Sequence, residues 1–211
     1  NGDGNGGADI GNDILASVSG YKPWSNETRA DFRTLAENRA SDWHQMGILD
    51  LFVVQVLYLI EYADFNSQAM ISEGNTQFSS FDFATCISAT GKSNSNGNNS
   101  GGQSTSGGDA GDYVSYRGIE DIFGNLYNFA DGINIKNIED DGSYAFICQT
   151  PSQFADDTEN NYSEVPYPLA ETDDYIKKVV PHPYVVLPDT VGASSSTYVT
   201  DYYYTKIDDL S

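Results

Sequence analysis

Residues 115–135 read SYRGIEDIFGNLYNFADGINI, and the turn at their centre decides how the chain folds. Gly124 and Asn125 suit a tight turn with positive φ, glycine for lack of a Cβ and asparagine because its short amide tolerates that region. Residues 126–129 (LYNF) then alternate sides as a strand entering a sheet would. Phe123, Tyr127 and Phe129 offer large aromatic area to bury beside the turn. The segment therefore reads first as a folding element.

Upstream, residues 1–13 are Gly, Asn and Asp with few anchors and read as a flexible lead-in that follows an internal start. Residues 14–19 predict a first strand, with a turn near Gly20 and Pro23. Ser25 and Asn26 can cap a helix over 27–40, where Phe32, Leu35, Ala36 and Ala40 share one face. A second helix is predicted over 46–63. Apolar residues cover nearly all its faces, so it should be the buried one. The polar groups that follow, Asp64, Asn66 and Gln68, can close its end and bond the next loop.

Residues 91–112 (GKSNSNGNNSGGQSTSGGDAGD) are almost free of apolar groups and predict a disordered surface loop. Beyond them lie short aromatic and β-branched runs at 126–129, 144–148, 184–187 and 198–204. Two helices followed by many short strands in long loops make an α+β domain over 14–211 with small antiparallel sheets. The acidic group at 139–142 reads as a solvated turn.

The 211 residues carry 31 acidic and 10 basic side chains, a net charge of -21. Phosphate backbones need clustered Lys and Arg, so nucleic acid is excluded as a partner, as is an anionic membrane surface. The longest apolar stretch, 46–60, is interrupted and too short to insert across a bilayer. Cys86 and Cys148 make no disulfide framework; two buried thiols or one bridge both stay open. His44 reads as a structural histidine. Acid pairs are so common here that they carry no weight for glycosidase chemistry, and no nucleophile, P-loop or zinc-protease pattern occurs.

Residues 43–68 (WHQMGILDLFVVQVLYLIEYADFNSQ), 115–135 and, more weakly, 197–204 (TYVTDYYY) together resemble the C-type-lectin-like domains in fibre and tail proteins of phages that infect gut bacteria. The central GIEDIFGNLYNF is similar to the signature of formylglycine-generating-enzyme-type domains, commonly G-h-x-[DN]-h-x-G-N-x-[WY]-E-[WF]. Tyr127 stands at the usual Trp, Asn128 at the usual Glu and Phe129 at the final aromatic. The resemblance covers roughly 40–204, with 91–112 as a variable insert, and it implies a C-type-lectin-like α+β fold. It also implies further strands after Ser211, supplied by a continuing chain or a partner.

What the resemblance implies about sites is limited. In formylglycine-generating-enzyme-type domains this turn can wrap calcium, which carries over to Asp121, Gly124, Leu126 and Asn128 as a candidate calcium site. Asn128 in place of Glu removes a charge and a bidentate ligand. The Glu-Pro-Asn, Gln-Pro-Asp and Trp-Asn-Asp triplets of calcium-bridged sugar binding do not occur. The late cysteine pair of the oxidases does not occur either, so a non-enzymatic role is expected.

The implied setting is a virion surface, among other virion subunits in a homo-oligomer, as a trimer, with a bacterial surface glycan or protein as the ligand. A purely architectural virion role and a cellular adhesin or filament subunit are the alternatives. Residues 193–205 are packed with Tyr and Ser, as in antibody paratopes, which makes Tyr198, Tyr202, Tyr203 and Tyr204 candidate ligand contacts.

Overall fold

The computed structural model describes residues 9–76, 86–106, 108–138, 141–172 and 174–194, with the backbone of 203 and 204. In chain order the helices are α1 (Arg29–Glu37), α2 (Ile48–Tyr62) and α3 (Ser67–Met70). The strands are β1 (Gly101–Gln103), β2 (Tyr113–Tyr116), β3 (Ile119–Glu120), β4 (Ile133–Ile138), β5 (Gly142–Ile147), β6 (Ser163–Glu164), β7 (Asp174–Val179), β8 (Pro188–Val191) and β9 (Tyr203–Tyr204). They pair antiparallel in the orders β1-β2-β3, β4-β5-β6 and β8-β7-β9. The architecture is mixed α+β, as expected. The chain divides into two compact units, residues 1–43 with 66–128, and residues 44–65 with 129–211.

In the first unit, α1 is capped by Thr28 rather than by Ser25 or Asn26. The Thr28 Oγ1 accepts from the Asp31 N–H at 3.1 Å, and the Asp31 carboxylate accepts from the Thr28 N–H at 3.0 Å. This reciprocal pair satisfies two N–H groups that a helix start leaves over. Leu35 and Ala36 are the buried face of α1. Its far end anchors the lead-in: the Asn38 amide donates to the carbonyls of Ile10 and Asp13, and Arg39 donates to that of Leu15. Residues 14–18 accordingly form no strand. Their backbone is tied to a helix end, with the Leu15 N–H donating to Leu35 O at 2.9 Å, and not to a neighbouring ladder.

The low-complexity stretch also departs from expectation. It contains a 3-10 turn at Asn94–Asn96 and strand β1, which pairs with β2 through Gly101–Ser115, Gly102–Val114 and Gln103–Tyr113. Glycine permits this because β1 runs against β2 too closely for a side chain. A Cβ on Gly102 would lie 2.4 Å from Tyr113 O. Absence of apolar side chains here reflects close backbone packing and polar anchoring, not disorder.

In the second unit, the core gathers Ile48, Ala145, Ile147, Val165, Leu169, Ala170, Ile176, Val180, Val185 and Leu187. The β4–β5 hairpin runs in register from Ile133–Ile147 to Ile138–Gly142. Glu139 and Asp140 of the acidic turn lie outside the described residues. Residues 184–187 are not a strand; β8 begins only at Pro188. Val185 and Leu187 alternate because both are buried, and burial alone produces that pattern.

Helix α2 starts where Ile48 N–H donates to Asp131 O and the Gly47 N–H donates to the Asp50 carboxylate. It ends at Ala63 in the left-handed region, φ 51°. The expectation that it is buried all round is overturned. Ile48, Gln55 and Tyr58 are buried, while Val53, Leu57 and Ile60 are 54%, 47% and 74% exposed. Positions 53, 57 and 60 lie on one stripe of a 3.6-residue helix, so a short apolar stripe looks outward, between exposed Asp50 and Glu61.

Two glycines set the first unit's geometry. A Cβ on Gly74 would lie 2.6 Å from Gly124 O, and one on Gly124 would lie 2.7 Å from Glu73 O. Both have positive φ, 63° and 80°. Gly74→Ala and Gly124→Ala are each expected to destabilise by about 2–4 kcal/mol, combining left-handed strain with overpacking. The double variant should cost less than the sum, because one backbone shift relieves both. Denaturant midpoints of the three variants check this.

Candidate functional site

The first unit carries a cleft of about 490 Å³ lined by Ser17, Ser19, Pro23, Thr90, Gly91, Ser93, Asn94, Gly118, Glu120, Asp121 and Asn128. Strand β3 ends in Glu120, which delivers two adjacent carboxylates to this space. The Glu120 carboxylate accepts from Gly91 N–H and Ser93 N–H, each at 2.6 Å, and from the Ser93 hydroxyl at 2.5 Å. It therefore fixes the 91–93 wall of the cleft. Nothing in the sequence distinguished Glu120 from thirty other acids; only its place at a strand end does.

Asp121 sits in the left-handed region, φ 51°, as Asp tolerates better than most residues. Its Oδ1 accepts from Val114 N–H at 3.0 Å and its Oδ2 from the Asn125 amide at 2.9 Å. Asn125 also accepts from Ser88 N–H at 3.3 Å. Asn125 is expected at positive φ beside Gly124, but of the pair only Gly124 takes it; the Asn125 amide instead ties the turn to Ser88. Burial pushes the Asp121 carboxyl up to about 6 from 3.8, against the lowering by Val114 N–H and Asn125; the Glu120 charge adds a smaller rise.

The four residues expected around calcium share this turn, and the oxygens of Asp121 and Gly124 are already engaged by protein donors. Both Asp121 oxygens hold protein donors. The Gly124 carbonyl accepts from Asn75 N–H at 2.6 Å. Asn128 turns its NH₂ toward the carbonyls of Asp121 and Ile122, at 3.3 and 3.4 Å. Leu126 is half-buried beside them. Calcium needs about 6–8 oxygens. Among the described residues no group of three His, Cys, Asp or Glu side chains is placed to hold a metal ion. As arranged, the residues do not fit the ion.

Residues 126–129 form no strand, and the aromatic expectation holds only in part. Phe123 is buried, but Phe129 is half exposed and Tyr127 is wholly exposed at 106%. Irregular backbone there does not turn alternate side chains inward. Of the Tyr-rich segment, Tyr198 and Tyr202 lie outside the described residues. Tyr203 and Tyr204 contribute backbone to β9, opposite Tyr175 and Asp174. Cys86 and Cys148 are thiols rather than a bridge, and the Cys148 Sγ lies 3.5 Å from Thr150 O. His44 is exposed. No described helix is long and apolar enough to cross a membrane. Compared with known proteins, the chain matches no family model, no curated protein and no solved structure.

The raised Asp121 value has a definite sign. The folded state holds the proton more tightly than the unfolded chain, so the stabilisation is full below the unfolded value and is lost as pH rises through about 6. At about 1.4 kcal/mol per unit, the wild type should lose a few kcal/mol between pH 4 and 6 relative to Asp121→Asn. Denaturant midpoints of the pair across that window measure it.

Calcium and a chelator should give the same thermal midpoint for the intact chain. A calcium-dependent rise would mean that the turn reorganises around the ion.

Proposed function

We propose that this chain is a non-enzymatic recognition protein of C-type-lectin-like fold, carried on the surface of a bacteriophage virion and presenting loops to the host cell. The observation that carries the reading is the 118–129 segment. Its resemblance to the family signature motivates the reading, and the tight turn read from the sequence supports it, with positive φ at Gly124 and the Asp121 carboxylate accepting from Val114 N–H. Loops tied by hydrogen bonds to Glu120 and Asp112 suit recognition, because less ordering is left to be done at the moment of binding. The charge of -21 supports an exterior place, since it keeps a crowded surface soluble and repels DNA.

An architectural virion role is the second reading, and the apolar stripe Val53, Leu57 and Ile60 of α2 supports it. A face of this kind is ordinarily covered by a partner. The homo-oligomer, a trimer by analogy with fibre proteins, belongs to both readings.

The test is binding of fluorescently labelled chain to a panel of gut bacterial isolates, read by flow cytometry. Saturable labelling of a subset of strains is expected. Uniform absence of labelling, together with an oligomer in sedimentation that Ile60→Asp dissociates, would replace recognition by architecture.

A further inference from the structure

We propose that the cleft of the first unit binds a neutral saccharide directly, without a bridging metal ion. This rests on the recognition reading and names its ligand class. The lining is almost wholly hydroxyl, amide and carboxylate, from Ser17, Ser19, Thr90, Asn94, Glu120 and Asn128 among others. Such a set offers donors and acceptors in comparable number, which matches a polyol, whose every hydroxyl is both. Pro23 is the main apolar surface in the lining, so an apolar ligand would find little to pack against.

Charge narrows the class further. No Lys or Arg is among the lining residues, and two carboxylates are. An anionic sugar would meet Glu120 and Asp121 in the cleft wall itself, inside a protein of net charge -21, whereas Lys22, Lys92 and Arg117, the cations adjoining the lining in sequence, are not part of it. The volume of about 490 Å³ lies within the roughly 300–1,000 Å³ of small-ligand sites.

Two exposed tyrosines adjoin the lining in sequence. Tyr127 precedes Asn128 and is wholly exposed; Tyr21 lies between Ser19 and Pro23 and is 49% exposed. Tyrosine presents a flat apolar face with a polar tip, suited to the C–H face of a sugar ring and its hydroxyl rim. The walls are already fixed: Glu120 holds Gly91 and Ser93, and the Asn128 amide holds the turn. The site is thus preorganised, which lowers the entropic cost of binding.

The experiment is affinity electrophoresis of the intact chain in native gels cast with dextran, mannan, arabinogalactan or xyloglucan, with anionic alginate as the contrast. Retardation by at least one neutral polysaccharide and none by alginate is expected. Tyr127→Ala should weaken the retardation roughly tenfold in apparent affinity. Ser17→Trp, an exposed lining position, should abolish it by filling the cleft. Both variants should keep the wild-type melting midpoint; if either does not, Tyr21→Ala takes its place. No retardation in any neutral gel, retardation by alginate alone, or full retention in all the folded variants overturns the proposal. Cell labelling separates the two levels. Labelled cells that bind Ser17→Trp as well as wild type defeat the cleft and spare recognition, whereas unlabelled cells defeat recognition itself.

Discussion

The backbone at Gly74 passes the carbonyl of Gly124 so closely that neither position has room for a Cβ. Much of the first unit depends on that crossing. It brings the Asn75 N–H onto Gly124 O, and it fixes where Asn125 emerges from the turn. Asn125 then reaches Ser88 on one side and Asp121 on the other. Asp121 in turn closes the turn on Val114, at the centre of the small sheet. A methyl group at either glycine would shift every later member of this series, because each is placed by the one before.

The two units are stabilised by different means. The second unit gathers a contiguous apolar core, where burial is worth about 25 cal/mol per Å². Among the described residues, the first unit buries fewer apolar side chains and relies on carboxylates that accept backbone N–H groups. Asp112 Oδ2 accepts from Thr105 N–H, Thr105 Oγ1 and Asp109 N–H, and Glu120 does the same for the 91–93 loop. Hydrogen bonds to charged groups are worth about 1.5–3 kcal/mol, more than neutral ones. This is why a segment of Gly, Ser and Asn holds a definite shape here. It also makes the cleft walls sensitive to the same few acids that give the cleft its character.

The acidity therefore has two local uses beyond solubility. Glu120 and Asp112 organise loops, and Asp121 is held where burial opposes its charge. The outward stripe of α2 is a separate feature, apolar in a chain that is otherwise strongly acidic. The polar cleft lies within the first unit and the apolar stripe within the second, so the proposed ligand site and the proposed association face draw on different residues.

The α+β class, both long helices and the glycine turn were legible from local signals: 3.6-residue periodicity, a capping residue nearby and a Gly-Asn pair. Those signals depend on neighbours in sequence, and so sequence alone determined them. Four things were decided only by tertiary structure. Residues 91–112 fold because Glu120 and Asp112, beyond or at their edge, supply acceptors that composition does not reveal. Helix α2 exposes Val53, Leu57 and Ile60 because a helix apolar on every side does not say which side its neighbours cover. Tyr127 stands out because 126–129 is not paired as a strand. The cleft exists because segments near 17–23, 90–94, 118–121 and 128 meet in space. Each of these turns on a partner far along the chain, and local pattern carries no record of distant partners.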